Sequence, residues 1–120
     1  MKDPNNPCLF CNTNNKILES GTSNFFFVSK NKVYSPINNF YKGTNVKFFE
    51  KKIKIIKKNI FLKKVNNFEE IILVGSGKGV VQVKNIKKIG WKRKKNNIFK
   101  KLSFIYKREI QIQKNINQLL

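Results

Sequence analysis

Three short stretches of this sequence combine glycine with hydroxyl or amide side chains. Free backbone N–H groups in a glycine-rich turn or at a helix N-terminus bind anions such as phosphate, and hydroxyl groups add further donors. The stretches are Gly21-Thr22-Ser23-Asn24, Gly43-Thr44-Asn45 and Gly75-Ser76-Gly77-Lys78-Gly79. For the third stretch taken alone, we favour the simpler interpretation of a tight turn between two strands.

The third stretch superficially resembles a nucleotide-binding P-loop, but its spacing excludes that motif. A P-loop has the form G-x-x-x-x-G-K-[ST], in which the last hydroxyl binds magnesium. Lys78 does follow Gly77, but Gly79 stands in place of the Ser or Thr. Ile72 occupies the position that the first glycine of the motif requires.

The charge of the chain admits two explanations. Its formal charge is +20 and its pI is about 10.2, values that are typical of polyanion-binding proteins. However, Lys, Asn, Ile and Phe are frequent, Ala and His are absent, and the only arginines are Arg93 and Arg108. A genome rich in A and T yields the same composition, and we favour this explanation. In either case we expect salt-sensitive, non-specific contact with nucleic acid.

The sequence gives little support for a metal site or for a membrane span. Cys8 and Cys11 form a lone C-x-x-C without the second ligand pair that a zinc site needs, so we expect no metal and two reduced thiols in a short strand. No apolar run is long enough for a membrane span, and the first residues do not form a signal peptide. The sequence therefore predicts a cytoplasmic protein.

The elements that must position the three stretches begin with a strand meander over residues 8–36. Cys8–Cys11 and Lys16–Glu19 form its short strands, and Phe25–Val28 is a continuously apolar strand of the kind that is buried on both faces. A tight turn leads to a partner strand that Pro36 ends. We also expect that, without a covering domain or a dimer partner, the apolar strands would be exposed.

The second half predicts helices and further strands. A helix should begin at Thr44 and end near Asn59, with an apolar stripe on one face. Strands follow at 60–65, 71–77 and 79–86, a short helical turn lies at 66–70, and an amphipathic helix closes the domain at 96–113. The fold class is mixed α/β (α+β), a strand meander with two main helices. We assign residues 1–7 to a lead-in, 8–110 to the domain and 111–120 to a tail. The helical stripe consists of Val46, Phe49, Ile53 and Ile56.

One of the few acidic residues stands beside the first stretch. Glu19 comes directly before the turn that leads into Phe25–Val28, and the whole chain has only six acidic residues. A surface carboxylate at a strand end is the simpler interpretation, and the composition alone does not exclude it.

Taken in order, these pieces resemble the class IV aminotransferases, the pyridoxal 5'-phosphate (PLP) enzymes of fold type IV. The family pattern has a Glu-Gly-[Ser/Thr]-x-x-Asn turn, an apolar strand ending near Thr-Pro, a Gly-Ile-Thr-Arg helix start and a strand that ends in a small-residue turn. This chain is similar over roughly residues 9–106, although Asn45 replaces the arginine of the helix start. The matching segments are "ESGTSNFFFV" (19–28), "YSP" (34–36), "GTN" (43–45) and "FEEIILVGSGKGVVQV" (68–83).

The resemblance implies a role for each candidate site residue. Glu19 would pair with the pyridine nitrogen of PLP, and Asn24 would brace the turn. Thr44 with the Gly43 backbone, and Ser76 with its neighbouring amides, would bind the PLP phosphate. The resemblance also places Gly77 beside the substrate carboxylate.

The resemblance extends to branches of the family. "GSGKGVVQV" is most similar to the aminodeoxychorismate lyase branch, with Ser76, Lys78 and Gly79 matching in kind, whereas Gly75 is typical of the transaminases. The implied activity is that of a 4-amino-4-deoxychorismate lyase or of a branched-chain aminotransferase, and the implied substrate is aminodeoxychorismate or an amino acid.

By this resemblance the chain is similar to the C-terminal half of such an enzyme. In the family the Schiff-base lysine lies farther upstream of the glutamate than the 18 residues that precede Glu19, so we expect no catalytic lysine here. We expect a missing N-terminal domain or complementary chain as a partner, a homodimer in the full enzyme, and a fragment that is inactive alone. The alternative is a non-catalytic basic module that binds nucleic acid.

Overall fold

Ten strands, two α-helices and two 3-10 helices make up the described part of the chain. The structure is a computed structural model that describes residues 10–11, 16–19, 24–37, 44–75 and 79–119. The strands are β1 (Phe10–Cys11), β2 (Lys16–Glu19), β3 (Asn24–Ser29), β4 (Lys32–Ser35), β5 (Ile55–Lys57), β6 (Ile60–Phe61), β7 (Glu70–Gly75), β8 (Gly79–Gln82), β9 (Asn85–Ile86) and β10 (Trp91–Lys92). The helices are α1 (Thr44–Lys52), the 3-10 helices Leu62–Asn67 and Lys87–Ile89, and α2 (Asn97–Leu119).

The two apolar strands β3 and β7 form the centre of the main sheet. They are antiparallel, and their register runs from Asn24 opposite Val74 to Val28 opposite Glu70. The hairpin partner β4 lies next to β3, β8 lies next to β7, and β5 extends the sheet in parallel to β4. The predicted mixed α/β class with two main helices is confirmed.

Both faces of the central strands are buried by this chain itself. Phe25 and Phe27 point into a cluster that contains Trp91, whose indole N–H donates to the carbonyl of Phe68 at 3.0 Å. Phe26 and Val28 point to the opposite face, which α1 and α2 cover. No residue of 25–28 or 71–74 is more than 3% exposed. The expectation that these strands need a second domain or subunit to cover them was therefore wrong.

The turn between β3 and β4 is the predicted tight turn. Its two residues, Lys30 and Asn31, have φ angles of 51° and 62°. Two successive residues with positive φ are typical of a type I′ turn, whose twist matches that of the flanking strands. Asn tolerates this left-handed conformation better than most residues do, so the local sequence supports the turn.

The helix predicted to end near Asn59 is shorter than expected. α1 ends at Lys52, and Ile55 and Ile56 belong to β5, where they lie opposite Val33 and Tyr34 of β4. The β-branched isoleucines fit a strand as well as a helix, and pairing with the exposed edge of β4 decides between the two.

Two other boundaries also differ from the prediction. Only Ile60–Phe61 of the segment 60–65 is a strand, and the chain then turns into the 3-10 helix 62–67, which brings Val65 into the core. The closing helix runs to Leu119, so it continues through residues that were assigned to a tail. The division into lead-in, domain and tail stays a prediction. Among the described residues, neither α-helix has the length and apolar character that crossing a membrane requires.

Candidate functional site

Two of the predicted anion-binding stretches lie at the same end of the main sheet. Glu19 ends β2 and is paired with Asn24, the first residue of β3. Asn24 is also opposite Val74, next to the end of β7, and Gly75 is paired with Gly79 at the start of β8. The connections β2–β3 and β7–β8 therefore leave the sheet side by side. We call this edge the turn end.

The third stretch joins the turn end through a hydrogen bond. The side-chain amide of Asn45, in the first turn of α1, donates to the carbonyl of Gly75 at 3.0 Å. The N-terminus of α1, with its positive dipole end, thus lies beside the β7–β8 connection. The sequence marks Asn45 as part of an anion-binding stretch and as a departure from the family arginine, but it does not predict this contact.

The structure places some of the predicted site residues and leaves others undescribed. The backbone positions of Glu19 and Thr44 and the residue Asn24, which is 6% exposed, lie at the turn end. A nearly buried amide at the first position of β3 is compatible with the bracing role that was predicted for it. Gly43, Ser76 and Gly77 lie outside the described residues, as do Thr22, Ser23, Lys78 and Cys8. Their roles stay predictions.

A close contact from α2 defines the far side of the β7–β8 connection. Gly79 has a φ of 71°, and a Cβ atom placed on it would lie 2.7 Å from Cε2 of Tyr106. A residue other than glycine would be strained there by its backbone conformation and by this contact. The apolar periodicity of the closing helix includes Tyr106, but periodicity does not reveal which strand end it meets.

Carboxylates are sparse at the turn end. Glu50 pairs with Lys57 at the other end of α1, and Glu109 bonds to Gln113 on the projecting part of α2. Glu70 begins β7 at the opposite end of the sheet, and Glu69 directly precedes it. In the part of the chain that the structure describes, Glu19 is thus the acidic residue located at the turn end. The turn end therefore combines one glutamate position with one helix N-terminus.

The opposite end of the sheet, which we call the hairpin end, has a different arrangement. The buried carboxylate of Glu70 accepts hydrogen bonds from the backbone N–H groups of Ile98 and Phe99, at 3.0 and 2.9 Å, and so caps α2. Glu69 accepts a hydrogen bond from the N–H of Lys30 at 2.9 Å and pairs with Lys95 at 3.2 Å. These contacts, the Lys30 bond first, hold the pKa of Glu69 below its usual value of 4.5.

A cleft of about 410 Å³ at the hairpin end does not by itself indicate a ligand. It lies between the end of β3, the start of β6 and the 3-10 helix 62–67, and two of its nine lining residues are lysines. Lysine is as frequent in the whole chain, 24 residues in 120, so the basic lining follows from composition. Among the described residues, no group of three or more His, Cys, Asp or Glu side chains could hold a metal ion.

Comparison with known proteins identifies the family. A sequence profile for amino-transferase class IV matches residues 2–86, which is more than half of the chain. A comparison with curated proteins gave no match.

Solved structures have the same fold. A Legionella pneumophila protein provisionally assigned as a 4-amino-4-deoxychorismate lyase superposes with a TM-score of 0.73 at 21% identity, over 83% of this chain and 40% of that chain. A branched-chain aminotransferase from Thermoproteus uzoniensis, solved with norvaline, gives a TM-score of 0.74 at 19% identity, over 83% of this chain and 35% of that chain. An aminotransferase from Brucella abortus, bound to PLP, gives a TM-score of 0.72 at 20% identity, over 83% of this chain and 38% of that chain.

The chain spans 40% or less of the length of each of these proteins. At such identities the superpositions show the shared fold, whereas the profile match is specific to one family. That family is PLP-dependent. The profile match over residues 2–86 and the shared fold together show that this chain belongs to the class IV aminotransferase family.

Proposed function

We propose that the turn end binds PLP and that the chain is the C-terminal, cofactor-binding portion of a PLP-dependent class IV enzyme. The observation that carries this proposal is the convergence of three elements: the β2–β3 connection, the β7–β8 connection and the N-terminus of α1. The β7–β8 connection and the N-terminus of α1 are suited to an anion, and the β2–β3 connection follows directly on Glu19.

In this proposal each site residue has a limited task. The Glu19 carboxylate holds a proton on the ring nitrogen, because an adjacent anion favours the cationic form of the ring. Thr44 and Ser76 donate to the phosphate together with neighbouring backbone N–H groups, among them that of Gly43, and the dipole of α1 adds a favourable field. Gly77 leaves room for the substrate carboxylate, and Asn24 fixes the turn after Glu19. When bound, PLP supplies an electron sink for negative charge that develops at the substrate Cα.

The reaction we propose is that of 4-amino-4-deoxychorismate lyase, in the folate and p-aminobenzoate pathway, with branched-chain aminotransferase as the other candidate. The similarity of "GSGKGVVQV" to the lyase branch supports the first, and the likeness to solved aminotransferases supports the second. Because the chain spans 40% or less of its relatives, the Schiff-base lysine would come from a further segment or a complementary chain, in a cytoplasmic homodimer.

The binding of two ligands that differ only in the phosphate tests this proposal. Pyridoxine 5'-phosphate and pyridoxine lack the aldehyde of PLP, so they cannot form adducts with the many lysines. We expect calorimetric titration at about 0.5 M salt, where surface charges are screened beyond a few ångström, to show tighter binding of the phosphate ester by about tenfold or more.

Equal or undetectable binding of the two ligands would contradict the proposal. Duplex DNA serves as the comparison ligand, because the formal charge of +20 supports a nucleic-acid-binding module as the alternative. Tight DNA binding that persists at the same salt concentration, without a preference for the phosphate ester, would favour that alternative.

A further inference from the structure

We propose that the exposed C-terminal half of α2 pairs antiparallel with the same segment of a second copy of this chain. The contact surface is the α2 stripe, which consists of Ile112, Ile116 and Leu119. The inference names a contact surface for the homodimer that the proposed function includes. It uses no residue of the proposed cofactor site, so it can fail while the cofactor proposal stands, and the reverse also holds.

α2 is longer than the sheet on which it packs. It begins at the hairpin end, where the N–H of Ile98 donates to the carboxylate of Glu70, the first residue of β7. Tyr106 lies against Gly79 at the turn end, so the helix has crossed the sheet by that residue. Residues 107–119 add about 20 Å of helix beyond this point. All but one of them are exposed, so the described sheet does not cover this half of α2.

Exposed apolar side chains are concentrated on α2. Five of the six large ones among the described residues belong to this helix. The α2 stripe repeats the alternating intervals of four and three residues that bring Ile98, Leu102 and Ile105 onto the sheet. Glu109 is the one polar member of this series. Such intervals are typical of the core positions of paired helices. The five exposed side chains are Phe104, Ile110, Ile112, Ile116 and Leu119.

The spacing and the charge of this segment favour a second copy as the partner. A stripe with alternating intervals of four and three residues fits a helix with the same intervals, and the stripe itself supplies one. Identical chains associate most often through identical patches related by a two-fold axis. Residues 109–119 carry one acidic and one basic side chain, so this segment is neutral although the chain has a formal charge of +20. A strongly acidic partner would therefore find little attraction here.

Antiparallel pairing keeps the two charged chains apart. The sheet lies at one end of the exposed half of α2, so two antiparallel copies have their sheets at opposite ends of the pair. The paired length of about 20 Å exceeds the distance of about 8 Å over which exposed charges act at physiological salt. Parallel pairing would instead bring two chains of charge +20 side by side.

Analytical ultracentrifugation at about 5–500 µM chain tests the pairing. The stripe is short compared with the interfaces of stable dimers, so we expect a reversible dimer with a Kd of about 10–100 µM. Ile112→Asn should raise the Kd by about tenfold or more, because it places a polar amide in the apolar contact. Ile110→Asn is the matched control, since Ile110 is 38% exposed against 43% for Ile112 but lies on the opposite side of the helix. It should change the Kd by less than about twofold.

Salt separates apolar pairing from association through charge. When the salt concentration rises from about 0.15 to 0.5 M, the dimer should keep its Kd or become tighter, because screening reduces the repulsion between the two chains. Association that weakens steeply with salt would indicate bridging by a polyanion and would overturn the inference. Ile116→Asn is a second variant on the stripe, and urea unfolding of each variant shows whether the fold is kept.

The remaining results are also distinct. A wild-type chain that stays monomeric at every concentration overturns the inference, and the stripe is then left to the further segment or complementary chain of the proposed enzyme. A dimer that Ile112→Asn and Ile116→Asn weaken no more than Ile110→Asn does also overturns it, because the contact then lies elsewhere. Neither result bears on the preference for pyridoxine 5'-phosphate, which concerns the turn end.

Discussion

The two ends of the main sheet use their carboxylates in opposite ways. At the hairpin end, Glu70 reaches from β7 to the N-terminus of α2 and satisfies two of its backbone N–H groups, and Glu69 ties the β3–β4 turn to β7. At the turn end, α1 has no acidic residue in its first turn, and the carboxylates with described contacts are engaged elsewhere. The negative charge at the N-terminus of α2 comes from Glu70 of the chain itself. We propose that a ligand supplies the negative charge at the N-terminus of α1.

This difference shows why a rare glutamate is not by itself a functional signal. Glu70 is nearly fully buried, and it accepts two hydrogen bonds from a helix that follows it by 28 residues. Its role is to stabilise the fold. Glu19 ends β2 at the turn end, where we propose that it serves a bound ligand. The neighbours of each glutamate, and not its scarcity, distinguish the two roles.

The largest effect that we expect from a change at one end is that of Glu70→Ala. The substitution removes two charge-assisted hydrogen bonds and leaves the buried N–H group of Ile98 and the partly buried N–H group of Phe99 without their acceptor. The free energy of unfolding, measured by urea denaturation, should fall by about 2–4 kcal/mol. The variant that remains folded should still prefer pyridoxine 5'-phosphate over pyridoxine, since the turn end is untouched.

Glu109→Ala is the matched control for this prediction. Glu109 accepts a hydrogen bond from Gln113 within α2, on an exposed part of the helix. Its removal should change the free energy of unfolding by about 0.5 kcal/mol or less. Equal effects of the two substitutions would contradict the capping role of Glu70.

A smaller effect at the hairpin end is expected for Glu69→Gln, and it should depend on pH. Because the hydrogen bond from Lys30 and the pairing with Lys95 lower the pKa of Glu69 in the folded protein, the charged side chain stabilises the fold above its ordinary value of 4.5. This contribution is lost as the pH falls through the lowered pKa. The difference in unfolding free energy between wild type and variant should therefore be present at neutral pH and vanish at more acidic pH. A difference that grows on acidification would contradict the assignment.

The central strands could be predicted from the sequence because their signals are local. Phe25–Val28 and the run from Ile71 are short, continuous and apolar, and the turn between β3 and β4 has residues that suit it. The strand β5 could not be predicted in the same way. Its isoleucines fit the apolar period of a helix, and only the edge of β4, distant in sequence, selects the strand. The 3-10 helix 62–67 likewise depends on the burial of Val65.

The candidate site was predictable in its parts but not in its assembly. Glycine and hydroxyl residues mark the connections, and the family resemblance gives them their order. The hydrogen bond from Asn45 to Gly75 and the contact of Tyr106 with Gly79 join segments that are about 30 residues apart. No periodicity or local motif encodes such contacts. They follow from the way in which α1 and α2 pack on one face of the sheet.

The protonation of the ring nitrogen of bound pyridoxine 5'-phosphate tests the central claim most directly. With ¹⁵N-labelled ligand, nuclear magnetic resonance reports the pH at which this nitrogen loses its proton. In wild type the bound nitrogen should stay protonated to a pH about one unit or more above that of the free ligand, because we propose that the Glu19 carboxylate pairs with it. Glu19→Gln should abolish this difference and Glu109→Gln should keep it. A bound nitrogen that titrates identically in wild type and Glu19→Gln would contradict the account.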